Sequence, residues 1–143
     1  DCHIGDSAII VNGVALAGHV IVGKYAVIGG LAAVHQFIHI GDHAMVSGGS
    51  LVRKDVPPFT KAAKEPLSYV GINSVGLRRR GFTTEKIKEI QDIYRILYQK
   101  NYNTTQALGI IEAEMEATPE RDEIIDFIRN SSRGVMKGYS GNY

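Results

Sequence analysis

Aliphatic residues recur at every sixth position through the first 57 residues of the chain. The nine positions are Ile4, Ile10, Leu16, Val22, Ile28, Val34, Ile40, Val46 and Val52. An α-helix repeats every 3.6 residues and a β-strand every 2, so neither element produces a sustained period of six. The pattern instead predicts a coil of short strands joined by tight corners, with each sixth residue pointing into a shared core.

A second register lies four residues further along and holds mostly small or branched side chains. Its members are Ala8, Val14, Val20, Ala26, Ala32, Ile38, Ala44, Ser50 and Val56. Glycine often follows the sixth-position aliphatic, as at Gly5, Gly23, Gly29 and Gly41, where we expect corners that need a positive φ or a close backbone approach. This hexapeptide pattern resembles that of the left-handed parallel β-helix, in which three hexads make one triangular coil. The nine hexads therefore imply three coils of 18 residues.

Residues 18 apart should stack about one strand spacing (~4.8 Å) apart in such a coil. His19 then lies under Phe37, and Gly18 lies under Gln36. The outward columns are expected to be polar. The spacing gathers one polar cluster at an edge of the coil, formed by Asp1, Gly18, His19, His35 and Gln36.

The rest of the chain has a different character. Residues 1–57 hold seven of the 31 charged residues but nine of the 16 glycines, and the shift falls at Pro57-Pro58, where two prolines cannot continue a sheet ladder. We therefore expect β-helix coils over residues 1–57, a connecting segment over 58–82 and a small helical domain over 83–143. The last six residues are rich in Gly, Ser, Asn and Tyr and are expected to be frayed.

Three helices are predicted in the last domain, the first of them over residues 84 to about 99. The expected N-caps are Thr83, Thr104 and Thr118, the last followed by Pro119 and Glu120 in the first turn. The expected buried stripes are Ile87, Ile90, Tyr94 and Leu97, then Leu108, Ile111 and Met115, then Ile124, Ile125 and Ile128. Stripes at this spacing are typical of a packed core.

Composition and charge exclude several classes of function. The formal net charge of +1 argues against a nucleic-acid-binding arm and a polybasic membrane anchor. The lone Cys2 excludes an internal disulfide framework and a Cys-rich zinc site, and it favours a reducing compartment. No apolar run is long enough to predict a membrane-spanning helix. Because the chain starts at Asp1 in the middle of the repeat, it is expected to be a piece of a longer chain.

Histidines at positions 35, 39 and 43 are spaced four apart, which on a helix would make a metal-binding comb. On a period of six they point in different directions, so no metal site and no cofactor is predicted. The zinc alternative stays open at this point.

Four segments together carry a resemblance to a known enzyme family. They are Leu16-Ala17-Gly18-His19-Val20, Ala33-Val34-His35-Gln36-Phe37, Asp55-Val56-Pro57-Pro58-Phe59, and the run from Gly71 to Phe82 that includes Gly76-Leu77-Arg78-Arg79-Arg80-Gly81-Phe82. With the hexads, they resemble the UDP-N-acetylglucosamine O-acyltransferases of lipid A biosynthesis. The resemblance runs from Asp1 to about Met136 and corresponds to the C-terminal half of a family member.

The resemblance implies direct transfer of a 3-hydroxyacyl group from acyl carrier protein to the 3-hydroxyl of UDP-N-acetylglucosamine. Such a transfer needs a base for the hydroxyl proton and a donor for the thioester oxyanion. The family's base is a histidine directly before an Asp-Cys pair, a position that would precede Asp1. Asp1 itself matches the carboxylate that supports this histidine, and Gly18 matches the residue whose N–H serves the oxyanion.

Other roles follow from the resemblance in the same way. His19 and Gln36 match sugar or acyl contacts, and His35 matches a polar site residue, for which a structural hydrogen bond is an equal alternative. The matches to the nucleotide end are Asn73, Arg79 and Arg80, since a guanidinium suits a diphosphate. Val75 stands where the family frequently has an acid, which puts one uridine or ribose contact in doubt.

Chain-length preference and partners are further implications. Gly48 matches the position that sets the bottom of the acyl groove, and Pro66 stands where the family often has a histidine, so a 3-hydroxyacyl chain of fourteen or more carbons is expected. The family is a cytoplasmic homotrimer with sites between neighbouring β-helices. Candidate basic contacts for the acidic carrier protein are Lys54, Lys61, Lys64 and Arg78.

Three alternatives remain beside this reading. A sister acyltransferase of the same scaffold acts on the glucosamine amine, and the Gly76–Phe82 run disfavours it. A β-helix zinc hydratase would need ligands that converge from neighbouring subunits, which the histidine spacing does not match. Without the expected base, the chain could also be an inactive fragment that serves only as a trimeric scaffold.

Overall fold

A computed structural model describes residues 1–139 of the chain. It consists of a parallel β-solenoid of three turns followed by a β-hairpin and four helices. Among the described residues, no helix is both long and apolar enough to span a bilayer.

The solenoid is built from nine two-residue strands. They are β1 (His3–Ile4), β2 (Ile9–Ile10), β3 (Ala15–Leu16), β4 (Ile21–Val22), β5 (Val27–Ile28), β6 (Ala33–Val34), β7 (His39–Ile40), β8 (Met45–Val46) and β9 (Leu51–Val52). Every pair among them is parallel and joins residues 18 apart, as in the pairing of Ile4 with Val22 and of Val22 with Ile40. Three ladders result, one for each face of a triangular coil.

The two predicted inward registers form one continuous core. From Val20 onward, both registers are buried, and most members have no exposed surface at all. The first coil is more open, because within the described residues another coil covers only one side of it: Ile4 is 41% exposed, and Ile10 and Leu16 are half-buried. Burial of the aliphatic column along the coil axis is what fixes the hexad spacing.

The backbone φ angle at the corners repeats every six residues. A residue with φ between 58° and 79° occurs at every sixth position from 7 to 49, and only two of these eight residues are glycine. The others are Ser7, His19, Tyr25, Leu31, Phe37 and His43. The expectation that glycine supplies the positive φ is therefore wrong for the four glycines named for it.

Those four glycines instead lie where backbones come close. A Cβ added to Gly5 would lie 2.6 Å from the Lys24 nitrogen, and one added to Gly41 would lie 2.5 Å from the Pro58 nitrogen. Gly23 and Gly29 meet the next coil in the same way. The alternative reason given for these glycines, a close backbone approach, is the one that holds.

The outward columns are not polar, contrary to expectation. Seven of the nine outward strand positions carry aliphatic or alanine side chains, or methionine. Exposed examples are Ile9, Ile21, Met45 and Leu51, at 37–52% of their maximal surface. The period-of-six pattern concerns only the inward side chains. It therefore could not predict which types of residue occupy the outward positions.

The two prolines interrupt the sheet without ending it. Pro57 and Pro58 lie outside the ladder, and the hairpin of β10 (Thr60–Ala63) and β11 (Ser68–Ile72) follows. Strand β10 pairs in parallel with β8, joining Lys61 to Met45, so the offset is two residues shorter than in the coils. The connecting segment thus continues one face of the solenoid into a six-stranded sheet.

The helices are α1 (Ser74–Arg79), α2 (Thr84–Gln99), α3 (Thr104–Glu114) and α4 (Pro119–Arg129). Thr83 caps α2 and Thr118 caps α4, as predicted, through their side-chain oxygens. The predicted Thr104 cap is wrong by one residue, because Asn103 forms a capping box with Gln106. Helix α1, capped by Asn73, was not predicted.

The helical core agrees with the predicted stripes in most positions. The fully or largely buried members are Ile87, Ile90, Tyr94, Leu108, Ile111, Ile124, Ile125 and Ile128, while Leu97 and Met115 are only half-buried. Ile93, which lay outside the predicted stripe, is also buried.

The chain returns to the sheet near its end. Strand β12 (Lys137–Gly138) pairs in parallel with β11, and the Tyr139 N–H donates to the Tyr69 carbonyl. The prediction of fraying is therefore wrong for residues 138 and 139, because backbone pairing holds them. Residues 140–143, to which the same prediction applied, lie outside the described part of the chain.

Candidate functional site

One corner of the solenoid carries most of the predicted polar cluster. His19 and Phe37 occupy the same corner position in successive coils, and their rings stack with centroids 4.9 Å apart and planes 6° from parallel. The Phe37 N–H donates to the Gly18 carbonyl over 3.0 Å. The 18-residue spacing thus places Gly18, His19 and Gln36 together, and all three are exposed.

Gly18 faces open space at this corner. A Cβ added there would meet no described atom within 4 Å, in contrast to the glycines packed against the next coil. Its φ is not positive either. Within one chain, neither packing nor backbone geometry explains a glycine at position 18.

Asp1 and His35 are exposed near the same corner. Among the described contacts, His35 uses only its main chain, donating its N–H to Val52 and accepting from Ile38. The structural hydrogen bond weighed for its side chain is therefore not formed within residues 1–139. The ring is free to meet a ligand or a neighbouring subunit.

The residues matched to the nucleotide end gather at the next corner. Asn73 is 6% exposed; its side-chain oxygen accepts from Gly76 N–H, and its Nδ2 donates to the His43 carbonyl over 3.0 Å. Arg79 is exposed in the last turn of α1. The Arg80 guanidinium lies 4.4 Å from the centre of the Tyr25 ring.

An aromatic stack that sequence reasoning did not identify supports this second corner. His43 stacks on Tyr25 at 5.1 Å and meets Phe82 edge-on at 5.1 Å. Desolvation lowers the pKa of His43, with the nearby Asp42 acting in the opposite direction. The 18-residue repeat could have predicted the contact between Tyr25 and His43, because these two residues are 18 positions apart.

The two groups lie at different corners of the same chain. His19 and Phe37 occupy one corner, Tyr25 and His43 the next, and the face formed by β1, β4 and β7 lies between them. Gly48 lies at the third corner, where an added Cβ would be 3.1 Å from the Gly30 carbonyl oxygen. One chain therefore does not bring the predicted site residues into a single pocket.

A cleft of about 500 Å³ separates α4 from the face between the first two corners. Four carboxylates line it, from Asp42, Asp55, Glu123 and Asp126, and no lysine or arginine does. Burial and the neighbouring Asp42 raise the pKa of Glu123 to about 7. This cleft is unsuited to a diphosphate, which would meet like charge there.

His39 lies in the same cleft, and its ring packs against Phe127 of α4 with centroids 4.6 Å apart and planes tilted by 46°. Desolvation lowers its pKa, and the nearby Asp55 opposes that shift. No group of three or more His, Cys, Asp or Glu residues within residues 1–139 is arranged to hold a metal ion.

Asp55 ties the end of the helical region to the solenoid. Its carboxylate accepts from the His39 N–H at 2.8 Å and from the Ser131 hydroxyl at 2.6 Å. Its own N–H donates to Gly134, and its carbonyl accepts from Met136. The sequence contained no signal for this link, which joins residues about 80 apart.

Comparison with known proteins places these features in a family. A family model described as "Udp N-acetylglucosamine O-acyltransferase; Domain 2" matches residues 55–136, more than half of the chain. A curated acyl-[acyl-carrier-protein]–UDP-N-acetylglucosamine O-acyltransferase of Thiobacillus denitrificans is 37% identical over 137 residues, which cover 96% of this chain and 53% of that protein. The chain thus spans about half the length of the curated relatives it matches.

Solved structures agree with the sequence relatives. A UDP-N-acetylglucosamine acyltransferase from Bacteroides fragilis superposes with a TM-score of 0.93 at 45% identity, covering 95% of this chain and 53% of that one. The enzyme from Francisella novicida gives 0.92 at 38% identity, covering 98% and 51%. The solenoid is accordingly a left-handed β-helix, as the hexads predict. The chain belongs to the UDP-N-acetylglucosamine O-acyltransferase family.

Proposed function

We propose that the protein transfers a 3-hydroxyacyl group from acyl carrier protein to the 3-hydroxyl of UDP-N-acetylglucosamine, the first step of lipid A biosynthesis. The observation that carries the proposal is the match of 96% of the chain to curated enzymes named for this acyl transfer. The proposal includes a cytoplasmic location, a reducing compartment that suits the single exposed thiol of Cys2.

The acyl-transfer chemistry is assigned to the corner at Gly18. A developing oxyanion needs an N–H donor that the thioester can approach closely, and the open space beside Gly18 provides that access. Asp1 would hold the tautomer of the histidine that the family has directly before it, and that histidine would take the hydroxyl proton. His19, His35 and Gln36 would contact the sugar or the acyl chain.

The nucleotide end is assigned to the corner at α1. Arg79 and Arg80 are exposed there and carry the bidentate donors that suit a diphosphate. Asn73 already uses its amide to cap α1 and to bind the His43 carbonyl. Its contribution is therefore to hold the arginine-bearing helix against the solenoid.

A homotrimer would unite the two corners. The reacting group and the nucleotide group lie on different corners of one chain, so neighbouring solenoids packed side by side could supply one group each. The apolar outward columns, including Ile9, Met45 and Leu51, offer surface for that packing. Sedimentation equilibrium should give three times the 15.6 kDa of one chain, whereas a monomer would contradict the shared site.

The acyl groove is proposed to end at Gly48, leaving room for a 3-hydroxyacyl chain of fourteen or more carbons. Gly48 is exposed, and a Cβ there would press on the Gly30 carbonyl at 3.1 Å. Gly48→Met should shift the preference to shorter donors. Unchanged chain-length selectivity in a correctly folded variant would contradict the assignment.

Docking of the carrier protein is proposed to use exposed basic residues. All four are exposed, but Lys54 donates to the Arg133 carbonyl and Lys64 lies over the Tyr139 ring, so these two already have partners within the described part of the chain. Lys61 and Arg78 are therefore the better candidates of the four. Acidic carrier proteins are attracted by such residues over about a Debye length.

Calorimetric titration with UDP-N-acetylglucosamine tests the nucleotide assignment. Arg79→Ala should weaken binding by about 10-fold to 150-fold, since a charge-assisted hydrogen bond is worth roughly 1.5–3 kcal/mol. Arg129→Ala is the matched control, because Arg129 pairs with Glu112 on the helical surface. Absence of binding by the unsubstituted protein would favour the bare scaffold, and equal loss in both variants would overturn the role of Arg79.

A further inference from the structure

We propose that Arg133 is a positioning residue that orients the His19 ring through Phe37. Its guanidinium lies over the Phe37 ring, with the carbon 5.4 Å from the centroid. Phe37 in turn stacks on His19 at 4.9 Å. The three side chains therefore form one stack at the corner assigned to acyl transfer, in the order Arg133, Phe37 and His19. The inference rests on the proposed role of His19 in contacting substrate.

Phe37 has no structural reason of its own to occupy this corner. Its backbone has φ 65°, as at the other corners of the solenoid, so the backbone angle gives no preference for an aromatic side chain. Its side chain is 49% exposed, so the core gains little from it. A flat ring held between a guanidinium and an imidazole explains the aromatic residue, since cations bind the faces of such rings.

The backbone that carries Arg133 is fixed on both sides. Ser131 and Gly134 bind Asp55, which is 4% exposed and anchored on the solenoid. The Arg133 carbonyl accepts from the Lys54 ammonium over 3.1 Å. Because this backbone segment is held in place, the Arg133 guanidinium can restrict the Phe37 ring that it covers. A guanidinium on a mobile segment could not do so.

The consequence for the reaction is geometric. An exposed histidine on a solenoid corner can adopt several side-chain rotamers, and the stack on Phe37 favours the one that is observed. Holding the imidazole in that rotamer would orient it for contact with the sugar or acyl group before substrate binds. Loss of such orientation commonly lowers turnover while leaving the fold intact.

The first test observes the ring directly, without reference to activity. Proton resonances of the His19 ring, in protein labelled at histidine, should be shifted upfield by the facing Phe37 ring. In Arg133→Met most of that upfield shift should disappear, while Arg133→Lys should keep about half or more, because an ammonium also binds an aromatic face. Arg129→Met should leave the resonances unchanged.

The second test is kinetic and follows acyl transfer in the same variants. Arg133→Met should lower kcat by about 10-fold to 100-fold with little change in KM for UDP-N-acetylglucosamine, and Arg133→Lys should restore part of the loss. Phe37→Leu provides a second route to the same state should Arg133→Met fold poorly.

The two tests separate this inference from the proposed function. Unchanged His19 resonances in folded Arg133→Met would overturn the positioning role. Phe37→Leu should move them in any case, because it removes the ring that causes the upfield shift. Displaced resonances with unchanged transfer would support the stack and overturn the substrate contact assigned to His19. Displaced resonances with lower kcat would support both.

Discussion

Glycines in the solenoid fall into two kinds at the scale of single residues. Gly41 lies under the next turn, where a Cβ would come within 2.5 Å of the Pro58 nitrogen and 2.7 Å of its Cα. Gly18 has nothing within 4 Å of its missing Cβ. The first glycine serves the fold, and the second is explained only by a ligand or a neighbouring subunit.

The two kinds predict opposite results for the same substitution. Gly41→Ala should lower the free energy of unfolding by about 1–3 kcal/mol, because the backbone of Pro58 must move away. Gly18→Ala should leave that free energy within about 0.5 kcal/mol. Urea titrations of the two variants measure the difference, and an equal loss in both would contradict the distinction.

Much of the single-residue pattern was accessible from the sequence. The hexad spacing gives the buried column from Val20 to Val56 and the stack of His19 on Phe37, because a strict repeat converts sequence distance into spatial distance. Arg133 could not be placed over Phe37 in that way. Its position depends on how the helical region folds back onto Asp55, and no repeat links the two.

Helix boundaries illustrate the same limit at the scale of elements. Thr83 and Thr118 were recognisable caps, each followed by a first turn with an acidic residue. At α3 two candidate caps stand side by side, and the structure uses Asn103, whose side chain bonds to Gln106 while Gln106 bonds back. The Gln three residues after Asn103 was the signal that decides between them.

The choice of cap gives a matched pair of variants. Asn103→Ala should destabilise the protein by about 1 kcal/mol, since it leaves a helix N–H without its acceptor. Thr104→Ala changes the neighbouring residue, which lies inside the first turn, and should have a much smaller effect. Thermal or urea unfolding decides the matter, and a larger loss for Thr104→Ala would show that the cap is misassigned.

The contact between α4 and the solenoid is expected to weaken as pH rises. Glu123 of α4 faces Asp42 and Lys24 of the solenoid and Glu120 of its own helix, and burial and Asp42 raise its pKa to about 7. Between the unfolded pKa near 4.5 and about 7, the folded protein binds the extra proton. Stability from this group is therefore full at low pH and is lost as pH rises through about 7.

Glu123→Gln isolates that contribution. The variant should be more stable than the unsubstituted protein at pH 8, and the gap should shrink toward pH 5, where Glu123 is protonated in the fold. His39 and His43, whose lowered pKa values oppose folding at low pH, are common to both proteins and cancel in the difference. A gap that does not change between pH 5 and pH 8 would contradict the raised pKa.

At the scale of the whole molecule, the candidate site is divided. The proposed acyl-transfer group lies at the corner of His19, and the proposed nucleotide group lies at the corner of His43, with an acidic cleft on the face between them. The 18-residue repeat predicts which solenoid residues lie at each corner. It does not predict where α1 lies around the solenoid, because that depends on the hairpin that follows the prolines. The division is what makes an assembly of several chains necessary to the proposed reaction.

The most direct measurement is acyl transfer by the protein made from its own coding sequence. It would be incubated with 3-hydroxyacyl carrier protein and UDP-N-acetylglucosamine, and the sugar nucleotide would be analysed by mass spectrometry, with the Bacteroides fragilis relative as positive control. The account predicts that UDP-N-acetylglucosamine gains one 3-hydroxyacyl group on the glucosamine 3-oxygen. Folded protein that leaves the nucleotide unchanged, under conditions in which the relative acylates it, would contradict the account.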